Sequence, residues 1–169
     1  MPQDDTVHLS GTTGWDENGQ LEVLTFDIGE ERLAIEAVSI REILDLLPET
    51  RVPGAPDLVS SVVNFRGKII PIADLRVAFG LPLDAKEGPD VDHRIVVIET
   101  ELGGETIQIG LRTDKVHEVA ILERSDSSEP PVLGMRWKRE FVRELVRQPD
   151  SVIVLPDLQE IFRSMAGAA

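Results

Sequence analysis

The chain has 169 residues, no cysteine and a formal net charge of −14 at pH 7. The lack of cysteine excludes thiolate catalysis, disulfides and Cys-ligated zinc. The acidic excess repels phosphate backbones and anionic lipids, so we expect no nucleic-acid partner. No apolar run approaches the roughly 20 residues of a membrane-spanning helix, and no secretory signal pattern opens the chain. We therefore expect no direct membrane insertion and a cytoplasmic location.

The N-terminal segment, residues 1–20, is rich in polar residues and is predicted to be a disordered tail. Trp15 is its only Phe, Trp or Tyr residue, and it either docks on the domain or moves with the tail, which we favour. Alternation of apolar and polar residues predicts a half-buried strand over residues 24–28. Residues 37–47 fit both a helix and a strand by spacing.

A β-hairpin is predicted at the centre of the chain. Residues 59–65 and 68–73 are rich in β-branched residues, and only two residues separate them. Gly67 suits a turn position with positive φ, where a Cβ would clash. Asp74 is placed to cap a short helix over residues 75–79.

The second half continues with short strands. Residues 81–92 are rich in Pro, Gly and Asp and form the predicted divide between two half-domains. A strand over residues 93–101 is expected to return through a hairpin turn at Gly103 and Gly104. Many short strands with few helices predict an all-β sandwich or barrel.

The C-terminal region contains a basic stretch from Arg136 to Arg147. Its apolar residues are spaced like one face of a helix, and spacing alone does not exclude a strand. A short strand follows over residues 152–155, then a helix through residue 162 that Asp157 caps. Residues 164–169 are predicted to be frayed. The basic stretch either contacts an acidic partner or offsets nearby acids in the chain.

The amino-acid sequence contains no recognised catalytic motif. The three histidines are scattered, and none forms a helical metal pair with a neighbouring carboxylate. The sequence holds no Gly-x-Ser-x-Gly elbow and no phosphate-binding glycine loop. We therefore predict a binding module rather than an enzyme, with no cofactor and no metal.

The central hairpin carries a family resemblance. The segment Asn-Phe-Arg-Gly-Lys-Ile-Ile-Pro-Ile-Ala-Asp-Leu-Arg, residues 64–76, resembles the signature of the CheW-like chemotaxis coupling domain. In that family an Asn-Leu-Arg-Gly turn leads into an apolar strand that ends Pro-x-x-Asp-Leu-Arg. Weaker matches lie at residues 24–29, 40–43, 51–56 and 110–116. The resemblance covers about residues 20–163.

The resemblance implies a fold and a function. The fold is all-β with short helices: two intertwined five-stranded SH3-like β-barrels over residues 21–163, with terminal strands that cross over. The function is a scaffold that links the cytoplasmic tip of a chemoreceptor to the regulatory domain of a CheA-type histidine kinase. It would be recruited to membrane-associated receptor arrays and could form rings with other CheW-like proteins. The alternative is an adaptor of a non-motility chemosensory pathway, for pili or development.

The resemblance also implies receptor-binding residues. Glu42 and Arg66 match a pair that acts in receptor coupling, and Ile40 matches an apolar neighbour. Asn64 either braces the turn or touches a partner. Val96 lies on a strand that matches one near the receptor groove, although a core valine is the competing interpretation.

Four positions depart from the family pattern. Ser61 and Glu144 stand where the family usually has glycine. Arg112 replaces an apolar residue, and we expect it to point outward while its neighbours face in. Pro156 interrupts a C-terminal strand and removes one ladder hydrogen bond. Three of the four lie in the C-terminal half, which is therefore the less typical half of the chain.

Overall fold

The computed structural model describes residues 14–81, 90–131 and 138–167. Over these residues the chain forms twelve strands and two α-helices. The strands are β1 Gln20–Ile28, β2 Glu31–Glu36, β3 Ile40–Asp45, β4 Thr50–Arg51, β5 Ser61–Phe65, β6 Lys68–Ala73, β7 Arg94–Leu102, β8 Glu105–Thr113, β9 Lys115–Glu123, β10 Ser127–Ser128, β11 Val142–Arg147 and β12 Val152–Pro156. The helices are α1 Leu75–Phe79 and α2 Leu158–Gly167. Neither described helix is long and apolar enough to cross a bilayer.

The strands form two sheets that curl into SH3-like barrels. Barrel A has the strand order β10-β11-β12-β2-β1-β9, and barrel B has the order β3-β7-β8-β6-β5-β4. Each barrel contains five strands of five or more residues and one strand of two residues. The predicted fold class, all-β with two five-stranded barrels, is confirmed.

Buried hydrophobic residues form three clusters. One fills barrel A and one fills barrel B, and the largest lies between the two barrels. This third cluster takes residues from both sheets and from both helices. Because the barrels share their largest core, neither barrel can bury its apolar surface alone, which is the physical reason that they pack as one unit.

The predicted divide between half-domains is wrong. Most of that segment, residues 82–89, lies outside the described residues, but the strands on either side of it, β6 and β7, both belong to barrel B. The chain instead enters barrel B at Ile40 and leaves it at Thr113, so β1 and β2 join the C-terminal strands in barrel A. The crossover of terminal strands is therefore larger than the composition indicated. Composition marks a loop, but it does not say which strands pair.

The ambiguous segments adopt strands. Residues Ala37–Ser39 form one 3₁₀ turn before β3, and β11 covers the end of the basic stretch. Asp157 Oδ1 accepts a hydrogen bond from the backbone N–H of Glu160 at 3.0 Å, so it caps α2 as predicted. Helix α2 continues to Gly167, which corrects the frayed end expected from residue 164, while residues 168–169 lie outside the described range.

Trp15 and Pro156 lie near the two chain ends of barrel A. Trp15 is half-buried against the interior cluster of barrel A, so residues 14–20 do not follow the interpretation as a mobile tail. The rest of the expected tail, residues 1–13, lies outside the described residues. Pro156 is the last residue of β12, opposite Val142. At a strand end the missing N–H interrupts little of the ladder.

Candidate functional site

The tip of the β5–β6 hairpin is a tight two-residue turn. Arg66 has φ 55° and Gly67 has φ 81°, and positive φ at both central residues is the requirement of a type I′ turn. The backbone N–H of Gly67 donates to Asn64 Oδ1 at 3.0 Å. The predicted roles of Gly67 in the turn and of Asn64 as its brace are both present. The Asn64 side chain remains exposed.

Arg66 occupies a strained backbone position. Among the residues that the structure describes, it is the single non-glycine residue with positive φ. A residue with a Cβ loses roughly 1–2 kcal/mol in this region, and asparagine or glycine would lose less. Strain of this kind is concentrated at functional sites, and here the two-residue turn between β5 and β6 holds it in place. The observed outlier makes Arg66 a candidate functional residue.

The Arg66 side chain projects into solvent above two neighbours. Its guanidinium carbon lies 4.5 Å from the centroid of the Phe65 ring, and Phe65 packs on the interior cluster of barrel B. Arg66 Nη1 lies 3.8 Å from Glu42 Oε2, which is an ion pair longer than a hydrogen bond. The two side chains are 75% and 41% exposed. An exposed pair of this kind contributes about 0–1 kcal/mol to folding, so most of the donor capacity of Arg66 is directed to solvent.

A β-bulge sets the direction of Glu42. In the β3–β7 ladder Ile40 lies opposite Ile98 and Glu42 lies opposite Val97, so β3 has one extra residue between them. Directly opposed residues share a face of the sheet. Ile98 belongs to the core between the barrels and Val97 to the interior of barrel B. Ile40 and Glu42 therefore point to different faces, and Glu42 lies at the end of barrel B beside the hairpin tip.

The structure divides the five residues predicted to bind a receptor. Glu42, Asn64 and Arg66 meet at the hairpin end of barrel B. Ile40 is half-buried and packs on the core between the barrels. Val96 is 0% exposed in that same core, which corrects its assignment to a binding surface. The other barrel covers this face of β7, so Val96 contributes to core packing.

Two exposed isoleucines near this end were missed. Ile69 is 59% exposed and lies opposite Asn64 in the hairpin, and Ile43 follows Glu42 and is 45% exposed. The alternation of side chains between the two faces of a strand could have identified them. Ile70, Ile72 and Leu44 are buried, so Ile69 and Ile43 lie on the opposite face. Ile69 lies three residues after Arg66, and Ile43 lies one residue after Glu42.

The opposite end of barrel B holds a network of charged groups. Glu49 accepts hydrogen bonds from Ser61 Oγ, at 2.6 Å, and from Arg112 Nη2. Arg112 Nη1 lies 3.7 Å from Asp74 Oδ2. Asp74 caps α1 by accepting from the backbone N–H of Arg76 at 3.1 Å, as predicted. It also accepts from the Arg76 guanidinium, and these side-chain hydrogen bonds raise the pKa of Arg76. Ser61 and Arg112 are two of the four departures from the family pattern, and both donate hydrogen bonds to the same carboxylate, that of Glu49.

The expected direction of Arg112 is partly wrong. Leu111 and Thr113 are buried as predicted. Arg112 lies opposite Ile95, which belongs to the interior of barrel B, so it is on the interior face at an open end. The ion pair with Glu49 is what makes a charged residue acceptable on that face.

The hairpin turn at Gly103 and Gly104 forms as predicted, with positive φ at both residues.

A second charged group lies on barrel A. Asp27 accepts from Arg32 Nε at 2.8 Å, and His117 Nε2 lies 2.8 Å from Asp27 Oδ2. Burial raises the pKa of Asp27, but hydrogen bonds from Arg32 and His117 outweigh it and hold the pKa below its usual value. Over the described ranges, no group of three His, Asp or Glu side chains could hold a metal ion.

The basic stretch is engaged within the chain where it is described. Arg143 Nη1 lies 3.7 Å from Glu36 Oε2, and Arg139 Nε donates to the carbonyl of Pro130 at 3.1 Å. Lys138 Nζ lies 5.4 Å from the centroid of Phe141. These contacts favour the interpretation that the stretch offsets nearby groups. Its first residue, Arg136, lies outside the described residues.

Comparison with known proteins identifies the family. The CheW-like domain model matches residues 22–166. The chemotaxis protein CheW of Rhizobium meliloti is 29% identical over 147 residues, which are 87% of this chain and 90% of that protein. The chemotaxis protein CheW of Bacillus subtilis is 24% identical over 140 residues, 83% of this chain and 85% of that protein.

A solved structure agrees with the sequence relatives. The crystal structure of the scaffolding protein TtCheW from Thermoanaerobacter tengcongensis matches with a TM-score of 0.70 and 28% identity. The match covers 84% of this chain and 92% of that chain. The resemblance seen in residues 64–76 is therefore confirmed. Because the family model extends over most of the chain and the barrels match in three dimensions, the chain belongs to the CheW-like domain family.

Proposed function

We propose that this protein is a chemotaxis coupling adaptor, which holds the cytoplasmic tip of a chemoreceptor and the regulatory domain of a CheA-type histidine kinase in one complex. Its relatives are named chemotaxis protein CheW, and its structural neighbour is titled a scaffolding protein. The adaptor carries out no chemical step. It acts in the cytoplasm, is recruited to receptor arrays at the membrane, and can join other CheW-like proteins in rings.

The observation that carries the proposal is the strained Arg66 at the hairpin tip. A guanidinium that is 75% exposed offers several donors in a fixed plane to the carboxylates or carbonyls of a helical partner. Ile69 and Ile43 supply apolar contact beside it. A helix that crosses this end of barrel B can place apolar side chains on the isoleucines and a polar group on Arg66.

Coupling follows from binding thermodynamics. The adaptor can alter kinase activity only if it binds the two signalling states of a partner with different affinities. A stiff hairpin tip suits this role, because a turn fixed by Gly67 and Asn64 does not adapt to both states equally. A difference of about 1.4 kcal/mol between the states changes their ratio tenfold.

The decisive variant is Arg66→Asn. Asparagine tolerates positive φ and Asn-Gly is the preferred type I′ pair, so this change should stabilise the hairpin by up to about 1 kcal/mol while removing the guanidinium. We expect co-sedimentation with a receptor fragment and the kinase to fall at least fivefold although the unfolding midpoint stays equal or rises. A loss of binding then has no folding explanation.

Lys68→Ala is the matched control, because it removes a positive charge two residues away on the same hairpin. Lys68 Nζ lies 3.3 Å from Gln108 Oε1, and its side chain is exposed. Unchanged complex formation by Arg66→Asn, or an equal loss in both variants, would refute the role of Arg66. Deletion of the gene followed by swimming and surface-motility assays then assigns the output to motility or to another chemosensory pathway.

A further inference from the structure

The aromatic ring of Phe65 lies between the core of barrel B and the hairpin tip. Phe65 closes the β5–β6 ladder opposite Lys68, one residue before the turn. Side chains alternate along a strand, so Phe65 shares the interior face with Val63, which is 1% exposed. The ring is half-buried and packs on the interior cluster of barrel B. The core therefore holds the ring in place while part of it stays accessible beside the turn.

The Arg66 guanidinium lies over this ring. Its carbon is 4.5 Å from the ring centroid, inside the range of about 6 Å in which an aromatic face attracts a cation. At an exposed site this attraction favours the contact about two- to fivefold. Glu42 Oε2 lies 3.8 Å from Arg66 Nη1, which is beyond hydrogen-bond length. The ring therefore constrains the guanidinium at least as much as this ion pair does.

The constraint matters because a long side chain loses rotamer freedom when a partner binds it. The Arg66 side chain is 75% exposed, so little else restricts it. A guanidinium that is already held over a rigid ring loses less freedom on binding. The backbone at Arg66, with φ 55°, fixes where the side chain begins, and the Phe65 ring restricts where it ends. Together they direct the remaining N–H donors to one side of the hairpin tip.

We propose that Phe65 is a positioning residue for receptor binding, and that its ring holds the Arg66 guanidinium in the orientation that the receptor tip binds. This proposal rests on the proposed function, and it assigns a role to a residue that acts through Arg66. The family signature has leucine where this chain has Phe65. Leucine can cover the core, but it offers a cation no aromatic face. Phe65→Leu therefore separates the packing of the side chain from its contact with the guanidinium.

The affinity arm of the test measures binding of a receptor cytoplasmic fragment by titration calorimetry. Phe65→Leu should lower the affinity about two- to fivefold, because the guanidinium is no longer held in place. Phe65→Tyr retains the ring face and should restore the affinity. In the Arg66→Asn background, Phe65→Leu should cause no further loss, since the ring acts only through the guanidinium. An equal loss in both backgrounds, or no loss in either, would overturn the proposal.

Phe141→Leu is the matched control. It makes the same substitution beneath another cation, because Lys138 Nζ lies 5.4 Å from the centroid of the Phe141 ring. Phe141 is buried just before β11 of barrel A, so the variant should melt at a lower temperature. Its affinity for the receptor fragment should not change. A loss of affinity equal to that of Phe65→Leu would mean that destabilisation is the cause, and the proposal would fail.

The second arm observes the ring contact without a receptor. In NMR spectra of the unaltered protein and of Phe65→Tyr, the ring should shift the side-chain protons of Arg66 upfield. Phe65→Leu should lose these shifts, and unchanged shifts would overturn the positioning role. If the shifts behave as expected but the unaltered protein binds no receptor fragment, the proposed function and the receptor-binding role of Phe65 fail together, while the ring contact remains.

Discussion

Gly110 leaves the space that two core isoleucines occupy in barrel B. It lies in β8 opposite Val97, whose side chain is inside the barrel, and beside Ile72 in the parallel pairing with β6. A Cβ at this position would lie 2.7 Å from Ile95 Cγ2 and 2.8 Å from Ile72 Cδ1. Both distances are well below van der Waals contact, so Gly110→Ala must displace one or both side chains.

The cost of Gly110→Ala follows from these contacts. Overpacking a filled core costs about 1–3 kcal/mol. Alanine recovers about 0.5–1 kcal/mol, because glycine loses more backbone entropy in a strand. The two terms together give about 0–2.5 kcal/mol, and because two core contacts are shortened at once the expected net loss lies in the upper part, at about 1–2.5 kcal/mol. At roughly 2–4 °C per kcal/mol for a chain of this size, the melting temperature should fall by about 2–10 °C.

Urea unfolding of two double variants checks the atomic cause. Ile72→Val deletes Cδ1 and removes the contact at 2.8 Å, so its combination with Gly110→Ala should cost less than the sum of the single changes. Ile95→Val keeps both branches at Cβ and should give no such relief. Stability of Gly110→Ala equal to that of the unaltered protein, or equal relief by both valines, would refute the argument.

Three further predictions concern the turn and the two charged groups. Gly67→Ala should lower the unfolding free energy by about 1–2 kcal/mol, measured in urea, since its φ is 81°; an unchanged midpoint would contradict this. Because the pKa of Asp27 is lowered in the folded protein, its contribution to stability is fully present above the ordinary carboxyl pKa of about 3.9 and is lost as pH falls through the lower folded value. Asp27→Asn should therefore flatten the acid side of the profile of melting temperature against pH, and parallel profiles for the two proteins would disprove the argument. Arg112→Leu and Glu49→Leu should be coupled by about 1 kcal/mol in a double-mutant cycle, and additive losses would show that the pair contributes nothing.

Local patterns predicted the parts of the site that depend on neighbouring residues. The Arg-Gly dipeptide between two β-branched runs predicted the hairpin, and Asp74 predicted the start of α1, because turns and caps are made within a few residues. The pairing of Glu42 with Arg66 came from the family resemblance. Contact across 24 positions of sequence cannot be read from spacing within either strand.

What the sequence determined by itself is the strand-rich class, the turns, the helix cap and the family. Only the tertiary structure decided that Val96 is core, that Ile40 and Glu42 face apart, and that Trp15 donates a hydrogen bond to Glu144. Each of these depends on which strands become neighbours and on one extra residue in β3, which reverses the face of every side chain beyond it. Strand partners are chosen by the shared burial of distant apolar faces, and that choice is a property of the whole chain rather than of any segment.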